Sequence, residues 1–292
     1  MRRLADRYLA AVVGGVDDDD GRALLPAVLA RACVAVLPVQ GAGLGLVERL
    51  RVPLGGSDDE AVRAERLQTT LGEGPCLDAI EAGEAVAVDE PELARRWPAY
   101  HRALIRQTSF RSVASLPLRT PGHPPIGALD LYSDAPAVDA AARGAEVQTD
   151  VADQIGGLLL DAPLVRAGWT DEPVAAWLAG PGVARRMEVW RAVGMVVHDL
   201  GTTQQGGLDL LRGFAVDAGS SLDAVPARLT AAELAPADLR RGAGAPGATT
   251  APPPGTVPGG AGVGEDGDLP PGVSSLDARR RRGSGRRPPG RP

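Results

Sequence analysis

The stretch RSVASLPLRTPGHPPIGALDLYSD, from Arg111 to Asp134, decides the fold of this chain. Two runs with apolar residues on both faces flank the turn-forming residues PGHPP at positions 121–125. This pattern predicts a β-hairpin. Because both faces of each run are apolar, we expect the two strands to lie in the middle of a sheet, with helices over one face. Pro117 cannot donate a hydrogen bond to a neighbouring strand, so we expect it near a strand end or a bulge.

The length and charge of the chain limit the classes of protein to consider. Its 292 residues have room for two domains of ordinary size, or for one domain with tails. The formal net charge of -6 argues against a nucleic-acid-binding surface that covers the whole chain. Positive charge is concentrated at the C-terminal end, where residues 279–292 contain seven arginines and no acidic residue.

Cysteine usage and hydropathy point to a cytoplasmic protein. Two cysteines, Cys33 and Cys76, are too few for a disulfide framework. Asp6 and Arg7 interrupt the apolar run that a signal peptide would need. No run approaches the roughly 20 apolar residues that span a bilayer, and we expect no association with a membrane.

Hydrophobic periodicity predicts two amphipathic helices ahead of the first strand, over residues 2–13 and 22–37. A strand is predicted over residues 41–50. Its glycine-rich start, GAG at 41–43, lacks the preceding strand, the following helix and the third glycine of a dinucleotide-binding fingerprint. We therefore do not interpret these glycines as a cofactor site.

A second group of elements surrounds the hairpin. Pro75 suits the first position of a helix that runs to about Glu81. A short strand is predicted over residues 85–88, and an irregular helical segment over residues 89–107. After the hairpin, an apolar stripe predicts a long helix over residues 139–161.

This order of elements, with GEGPCLDA at residues 72–79, resembles a GAF domain, and in particular the actinobacterial GAF domains that precede an ANTAR domain. The matching residues are Leu71, Gly72, Glu73, Gly74, Pro75, Cys76, Leu77, Asp78, Arg111, Ser112, Val113, Pro117, Leu118, Gly127, Ala128, Leu129, Leu131 and Tyr132. The resemblance covers residues 20–162. It implies an α+β, PAS-like sensory domain over residues 1–162, with an antiparallel sheet, helices and a pocket for a small-molecule ligand. Cys76, Trp97 and Ser115 are the candidate pocket residues.

Three short helices are predicted within residues 183–234. The first has an apolar face from Val189 to Leu200. Either threonine of the pair 202–203 can cap the second helix, and the pattern at 220–223 resembles a capping box that opens the third. Three such helices with short connections should form a compact bundle.

The strings WRAVGMVVHDLG, at 190–201, and LDLLRGFAVDAGSSLDAV, at 208–225, resemble an ANTAR domain. The matching residues are Ala192, Gly194, Met195, Leu211, Arg212, Ala215, Leu222 and Val225. The resemblance implies binding to paired RNA hairpins in nascent transcripts, prevention of termination, and a homodimer. Arg191, Arg212 and Arg228 are the candidate contacts to RNA phosphates, although each is also explained as a solvated surface charge.

Two residues depart from this family. Gly207 stands where the family has alanine in the second helix, and a glycine in a helix interior costs about 1 kcal/mol. Pro226 stands where the family has alanine in the third helix, and at the fifth or sixth helical position it costs ~3 kcal/mol. A bundle of this size has little stability to spare, so an RNA-silent form of the domain is an alternative.

Two further segments have loop-like composition. Prolines and glycines over residues 163–182 predict a linker that breaks any helix continuing from the first domain into the bundle. Residues 242–292 are rich in glycine, proline and alanine, and we expect a disordered tail. Its arginine-rich end is either a solvated tail or a sequence-independent attraction to phosphate.

The residues that could carry chemistry do not form a catalytic pattern. Cys76 lies near a helix N-terminus and is open to three interpretations: packing, ligand binding or redox sensing, and catalysis. His101, His123 and His198 lack metal-ligand spacing, and no cofactor is indicated. We therefore predict a non-enzymatic, signal-responsive regulator of transcription antitermination. The alternatives are a GAF sensory or dimerisation protein with a degenerate, RNA-silent output domain, and a cysteine-based redox sensor.

Overall fold

The structure is a computed structural model that describes residues 3–15, 25–47, 51–120, 122–162, 164–165 and 174–242. All of these residues belong to one compact unit, which ends at Gly247. Much of the predicted linker and, apart from Gly242, the predicted tail lie outside the described residues.

A five-stranded antiparallel sheet organises the N-terminal part of the chain, and its strands lie in the order β2-β1-β5-β4-β3. The strands are β1 (Gly41–Val47), β2 (Arg51–Gly56), β3 (Val86–Val88), β4 (Ser112–Thr120) and β5 (His123–Ser133). The hairpin β4–β5 occupies the middle of the sheet, as predicted. The strand expected over residues 41–50 is present up to Val47, and residues 48–50 lie outside the described residues. Strand β2 was not predicted.

Pro117 lies beside an irregularity in the pairing of β4 with β5, between Leu118 and Thr120. Strand β3 pairs only with residues 113–115 of β4 and has ended before Pro117 is reached. The Pro117 carbonyl accepts a hydrogen bond from Gln148 Nε2 at 2.8 Å. No neighbouring strand therefore needs a backbone hydrogen bond from residue 117. The expected position of Pro117 near a bulge is confirmed.

Helices cover both faces of the sheet, whereas helices over one face were expected. The first face packs against α1 (Leu4–Gly15), α2 (Leu25–Val36) and a helical run made of α7 (Ala145–Val147), a π-turn (Gln148–Ala152) and α8 (Asp153–Leu160). This run begins later than the predicted residue 139, because Asp139 caps a separate 3₁₀ turn through its carboxylate. Since both faces of the hairpin are apolar, both need a covering layer.

The second face packs against α3 (Asp59–Leu71), α4 (Pro75–Ala82), α5 (Glu90–Arg96) and α6 (Pro98–Gln107). Gly72 and Gly83 end α3 and α4 in the left-handed region, with φ of 69° and 68°. Pro75 occupies the first turn of α4, as predicted. Helix α3 was not predicted, because several residues of its buried face are polar.

The break between α8 and the C-terminal helices is confirmed. A short hairpin of β6 (Leu164–Val165) and β7 (Val174–Ala175) and a 3₁₀ turn (Ala176–Ala179) separate α8 from the next helix. Trp177 is buried in this connection, and its Nε1 donates to the Leu159 carbonyl at 2.8 Å. The connection is thus fixed to the first domain by a tryptophan.

The C-terminal helices form what we call the output module, residues 181–240. It comprises α9 (Pro181–Leu200), α10 (Gln204–Asp217), a 3₁₀ turn (Leu222–Ala224), α11 (Val225–Thr230) and a final 3₁₀ turn (Pro236–Arg240). These elements bury an apolar cluster of their own that includes Val189, Val193, Val196, Leu211, Phe214, Ala215, Leu222, Val225 and Leu229. The predicted three-helix bundle is therefore present.

Two expectations for the third helix are wrong. Pro226 lies in the first turn of α11, where the helix does not use the missing N–H, so the expected ~3 kcal/mol cost does not arise. The capping box at 220–223 is not formed among the described residues, because the 3₁₀ turn there has no side-chain cap and the Asp223 carboxylate pairs with arginines instead. Thr203 caps α10, its Oγ1 accepting from Gly206 N–H at 3.0 Å.

Candidate functional site

A cluster of polar side chains is enclosed between the second face of the sheet and helix α3. We call it the buried network, and its members are Arg51, Glu65, Gln68, Ser115, Asp130 and Tyr132. Each is at most 2% exposed to solvent. Polar groups at this depth need hydrogen-bond partners. The network supplies most of them internally, and Arg51 Nε is the one side-chain atom of its members that has no partner among the described residues.

Asp130 lies at the centre of the buried network. Its Oδ2 accepts from Arg51 Nη2 and from Gln68 Nε2, each at 2.7 Å. Its Oδ1 accepts from Ser115 Oγ at 2.5 Å. Three elements, β2, α3 and β4, are thereby tied to one carboxylate on the central strand β5.

Glu65 is the second carboxyl group of the buried network. Its side chain pairs with Arg51 Nη2 and accepts from the Tyr132 hydroxyl at 2.6 Å. Burial raises the pKa of Glu65 to about 8; the charge of Arg51 opposes this shift and the nearby Asp130 adds to it. One guanidinium thus contacts two carboxyl groups, and burial favours the protonated form of Glu65.

Glycines in β1 make room for the buried network. Gly41, Gly43 and Gly45 alternate along the strand and so face one side of the sheet. A Cβ on Gly45 would lie 2.8 Å from Arg51 Cζ, and a Cβ on Gly43 would collide with the Glu65 carboxyl group. The glycine-rich stretch therefore serves side-chain packing, which agrees with the exclusion of a dinucleotide site.

Two of the three predicted pocket residues lie at the buried network, and the third lies in the adjoining apolar cluster. Ser115 is a member, and the Cys76 backbone N–H donates to Gln68 Oε1 at 3.2 Å. Burial raises the pKa of the Cys76 thiol well above its usual value, with the charge of Arg51 opposing. Trp97 packs with the apolar residues that cover the second face.

Sequence reasoning missed most members of the buried network. Arg51 and Glu65 lie on elements that were not predicted, and Gln68 follows one turn after Glu65. The available signal was Asp130, an acidic residue inside an otherwise apolar strand. A buried carboxylate in such a position requires polar partners, which the sequence alone does not identify.

Comparison with known proteins identifies the N-terminal region. Residues 18–156 match the model of the family described as GAF domain. This region has the GAF fold. No curated protein matches the chain.

Several solved structures resemble the chain at low identity. The GAF domain of an Acinetobacter phosphoenolpyruvate-protein phosphotransferase is 13% identical, with a TM-score of 0.40, and covers 54% of this chain and 94% of its own. A type II free methionine-R-sulfoxide reductase from Thermoplasma acidophilum is 18% identical, with a TM-score of 0.36, and covers 49% and 94%. A domain of a putative two-component sensor histidine kinase from Sinorhizobium meliloti is 15% identical, with a TM-score of 0.38, and covers 50% and 92%. Such similarities say nothing about the activity of this chain.

The output module docks onto helix α3 of the GAF domain. Leu222 N–H donates to Thr70 Oγ1 at 3.1 Å, and Arg212 Nε donates to the Thr69 carbonyl at 3.3 Å. Arg66 lies 3.8 Å from the Asp223 carboxylate. Helix α3 therefore carries Glu65 and Gln68 of the buried network and also supplies the docking contacts.

The three predicted RNA contacts have different environments. Arg191 is exposed and pairs with Glu188 at 2.5 Å, and Arg228 is exposed with its guanidinium 5.4 Å from the centre of the Phe214 ring. Arg212 is partly buried against the GAF domain, and burial lowers its pKa. In the docked arrangement, Arg212 is thus engaged by protein.

Other kinds of site receive no support from the described residues. No group of three or more His, Cys, Asp or Glu side chains among them could hold a metal ion. Cys33 is buried in the cluster on the first face of the sheet, away from the face that holds Cys76. Within the described ranges, no helix combines the length and apolar character needed to cross a bilayer.

Proposed function

We propose that this chain is a signal-responsive regulator of transcription antitermination, in which the GAF domain controls an ANTAR-like, RNA-binding output module. The observation that carries the proposal is the double role of α3, which holds Glu65 and Gln68 on the GAF side and Thr69 and Thr70 on the module side. A change in the buried network that shifts this helix would therefore also change its contacts with the module.

The proposed mechanism is a shift between a docked and a released arrangement. In the docked arrangement, Arg212 contacts the Thr69 carbonyl and is withheld from phosphate. A small molecule bound by the GAF domain, or a protein partner on its surface, would favour release by binding the released arrangement more tightly than the docked one. Coupling energies of this kind are typically about 1–3 kcal/mol, which corresponds to a 5–150-fold change in affinity. Released modules would pair as a homodimer on two RNA hairpins.

A filter-binding titration with a tandem-hairpin RNA at several salt concentrations tests the proposal. Saturable binding that weakens with salt is expected, because arginine contacts to phosphate release counterions. Thr70→Val removes the acceptor for Leu222 N–H, weakens docking, and should raise RNA affinity up to about ten-fold. Thr149→Val, on an exposed helix position of the GAF domain, is the matched control. If none of these proteins binds RNA while circular dichroism shows the module folded, the RNA hypothesis is wrong.

A second candidate is a GAF sensory or dimerisation protein whose output module is RNA-silent. It is favoured by the contact that occupies Arg212 and by Gly207, a glycine inside α10. Gly207→Ala separates the candidates: binding that appears only in this variant would mean that the natural module has lost RNA competence. Light scattering of the full chain then reports whether the module still forms dimers.

A cysteine-based redox sensor is the third hypothesis. It requires a thiolate, and the Cys76 thiol is buried with a raised pKa, which opposes its formation. Cys76→Ser should therefore leave the response of the chain to oxidants unchanged. A response that disappears with this substitution would restore the redox hypothesis. We propose no enzymatic activity for the chain.

A further inference from the structure

An apolar cleft of about 840 Å³, whose lining among the described residues contains no member of the buried network, lies where the GAF domain meets the output module. It opens between one end of the sheet, the C-terminal end of α8 and the first turns of α9. Its lining includes Leu46, Ile126, Trp177, Met187 and Trp190. A cavity of this volume, with mostly apolar walls, is of the size that holds small-molecule ligands.

The lining also contains a buried charged side chain, Arg186, which a cavity left by imperfect packing would not require. Its side chain is only 3% exposed, and its Nη2 lies 3.3 Å from the Asp223 carboxylate. Its Nε and Nη1 atoms have no hydrogen-bond partner among the described residues. A buried guanidinium with unmet donors is unfavourable, and an anionic acceptor would satisfy it.

Among the described residues, the one carboxylate paired with Arg186 is shared with a second arginine. Asp223 is the ion-pair partner of Arg186, but Asp223 also faces Arg66 at 3.8 Å. Burial lowers the pKa of Arg186 to about 10; Asp223 opposes this shift, and the charges of Arg51 and Arg212 add to it. Asp223 is thus shared between two arginines, Arg66 and Arg186, and two donor atoms of Arg186 remain for a second anion.

We propose that this cleft binds an amphipathic anion, with an acyl chain or aromatic body against the two tryptophans and a carboxylate paired with Arg186. The lining favours a free small molecule over a polyanion, because it is mostly apolar and, among the described residues, includes a single arginine. A ligand here touches the GAF domain and α9 together and would therefore bias docking. The proposal does not depend on RNA binding.

The test titrates the full chain with dodecanoate below its micellar concentration and with dodecanol as the uncharged counterpart. Trp177 and Trp190 report binding through their fluorescence. Arg186→Met removes the charge, and Arg185→Met, its exposed neighbour on α9, is the matched control. Dodecanoate should bind saturably, and Arg186→Met should weaken it about ten-fold or more, because a charged hydrogen bond is lost. Arg185→Met should change it less than two-fold, and dodecanol affinity should not depend on Arg186.

Several results would overturn the proposal. These are no saturable binding of dodecanoate, equal effects of the two arginine substitutions, or equal loss of dodecanol binding in Arg186→Met. Co-sedimentation with phosphatidylglycerol vesicles in place of dodecanoate binding would assign the cleft to a lipid surface and would also refute it. If Arg186→Met does not fold, Leu178→Trp narrows the cleft and should weaken both ligands; unchanged affinities would then be decisive against the site.

Discussion

Replacing Glu65 by glutamine should change how the stability of the protein depends on pH. Glutamine keeps the shape of the side chain and can still accept from the Tyr132 hydroxyl, but it cannot ionise. In the folded protein the pKa of Glu65 is raised to about 8, mainly by burial, whereas the ordinary value is 4.5. Between pH 4.5 and about 8, Glu65 is therefore protonated in the folded state and ionised in the unfolded state.

The sign and size of the effect follow from proton linkage. Because the pKa is raised on folding, the contribution of Glu65 is complete below pH 4.5 and is lost as pH rises towards 8. Each pH unit in this window lowers the free energy of unfolding by about 1.4 kcal/mol, or several kcal/mol in total and at most roughly 5. Glu65→Gln should lack this slope.

Urea denaturation at each half pH unit from 5 to 8.5 measures the effect. The difference between wild type and Glu65→Gln should fall steadily with pH, so that the variant gains relative stability as conditions become alkaline. Glu233→Gln, at an exposed position in the output module, is the control and should follow the wild type. Parallel curves for wild type and Glu65→Gln would refute the assignment of a protonated glutamic acid to the buried network.

Three further predictions concern glycines and the two cysteines. Gly43→Ala brings a methyl group into steric overlap with the Glu65 carboxyl group and should lower the free energy of unfolding by about 1–3 kcal/mol. In the same urea experiment, Gly194→Ala should raise the free energy of unfolding by up to about 1 kcal/mol, because the added methyl group meets open space on a helix. Gly207→Ala should stabilise the module by about 1 kcal/mol, because a Cβ there meets its neighbours at ordinary distances of 3.4–3.5 Å; a lower thermal midpoint by circular dichroism would count against this packing. Cys76 and Cys33 are both buried and should resist a thiol reagent such as dithiobis(nitrobenzoate) until the protein unfolds; rapid labelling of the native state would show that at least one of the two thiols is accessible.

The sequence was sufficient for the elements whose patterns are local. The hairpin β4–β5, the turn-helix at Pro75 and the apolar face of α9 all have clear periodicity or turn residues, and each is where it was expected. The helical break before α9 was also predictable from proline and glycine. These features depend on residues that are close together in the chain.

Helix α3 and the buried network could not be recognised in the same way. The buried face of α3 includes Glu65, Gln68 and Thr69, so its inward side looks like a solvated one. The pairing of Arg51 with Asp130 joins residues 79 positions apart, and no local sequence pattern predicts it. Pro226 was misplaced for a different reason: the third helix begins later than its capping pattern suggested, and helix starts are the least certain part of such predictions.

Coupling between the buried network and the docked module can be measured by amide hydrogen exchange on the full chain at constant pH. Ser115→Ala removes one donor from Asp130, while Ser112→Ala, on the same strand, removes a bond to the Ala135 carbonyl outside the network. We expect Ser115→Ala, and not Ser112→Ala, to speed exchange several-fold in peptides covering residues 204–224, where Leu222 N–H meets Thr70. Unchanged exchange in these peptides, or equal acceleration by both substitutions, would show that α3 does not transmit changes from the GAF domain to the output module.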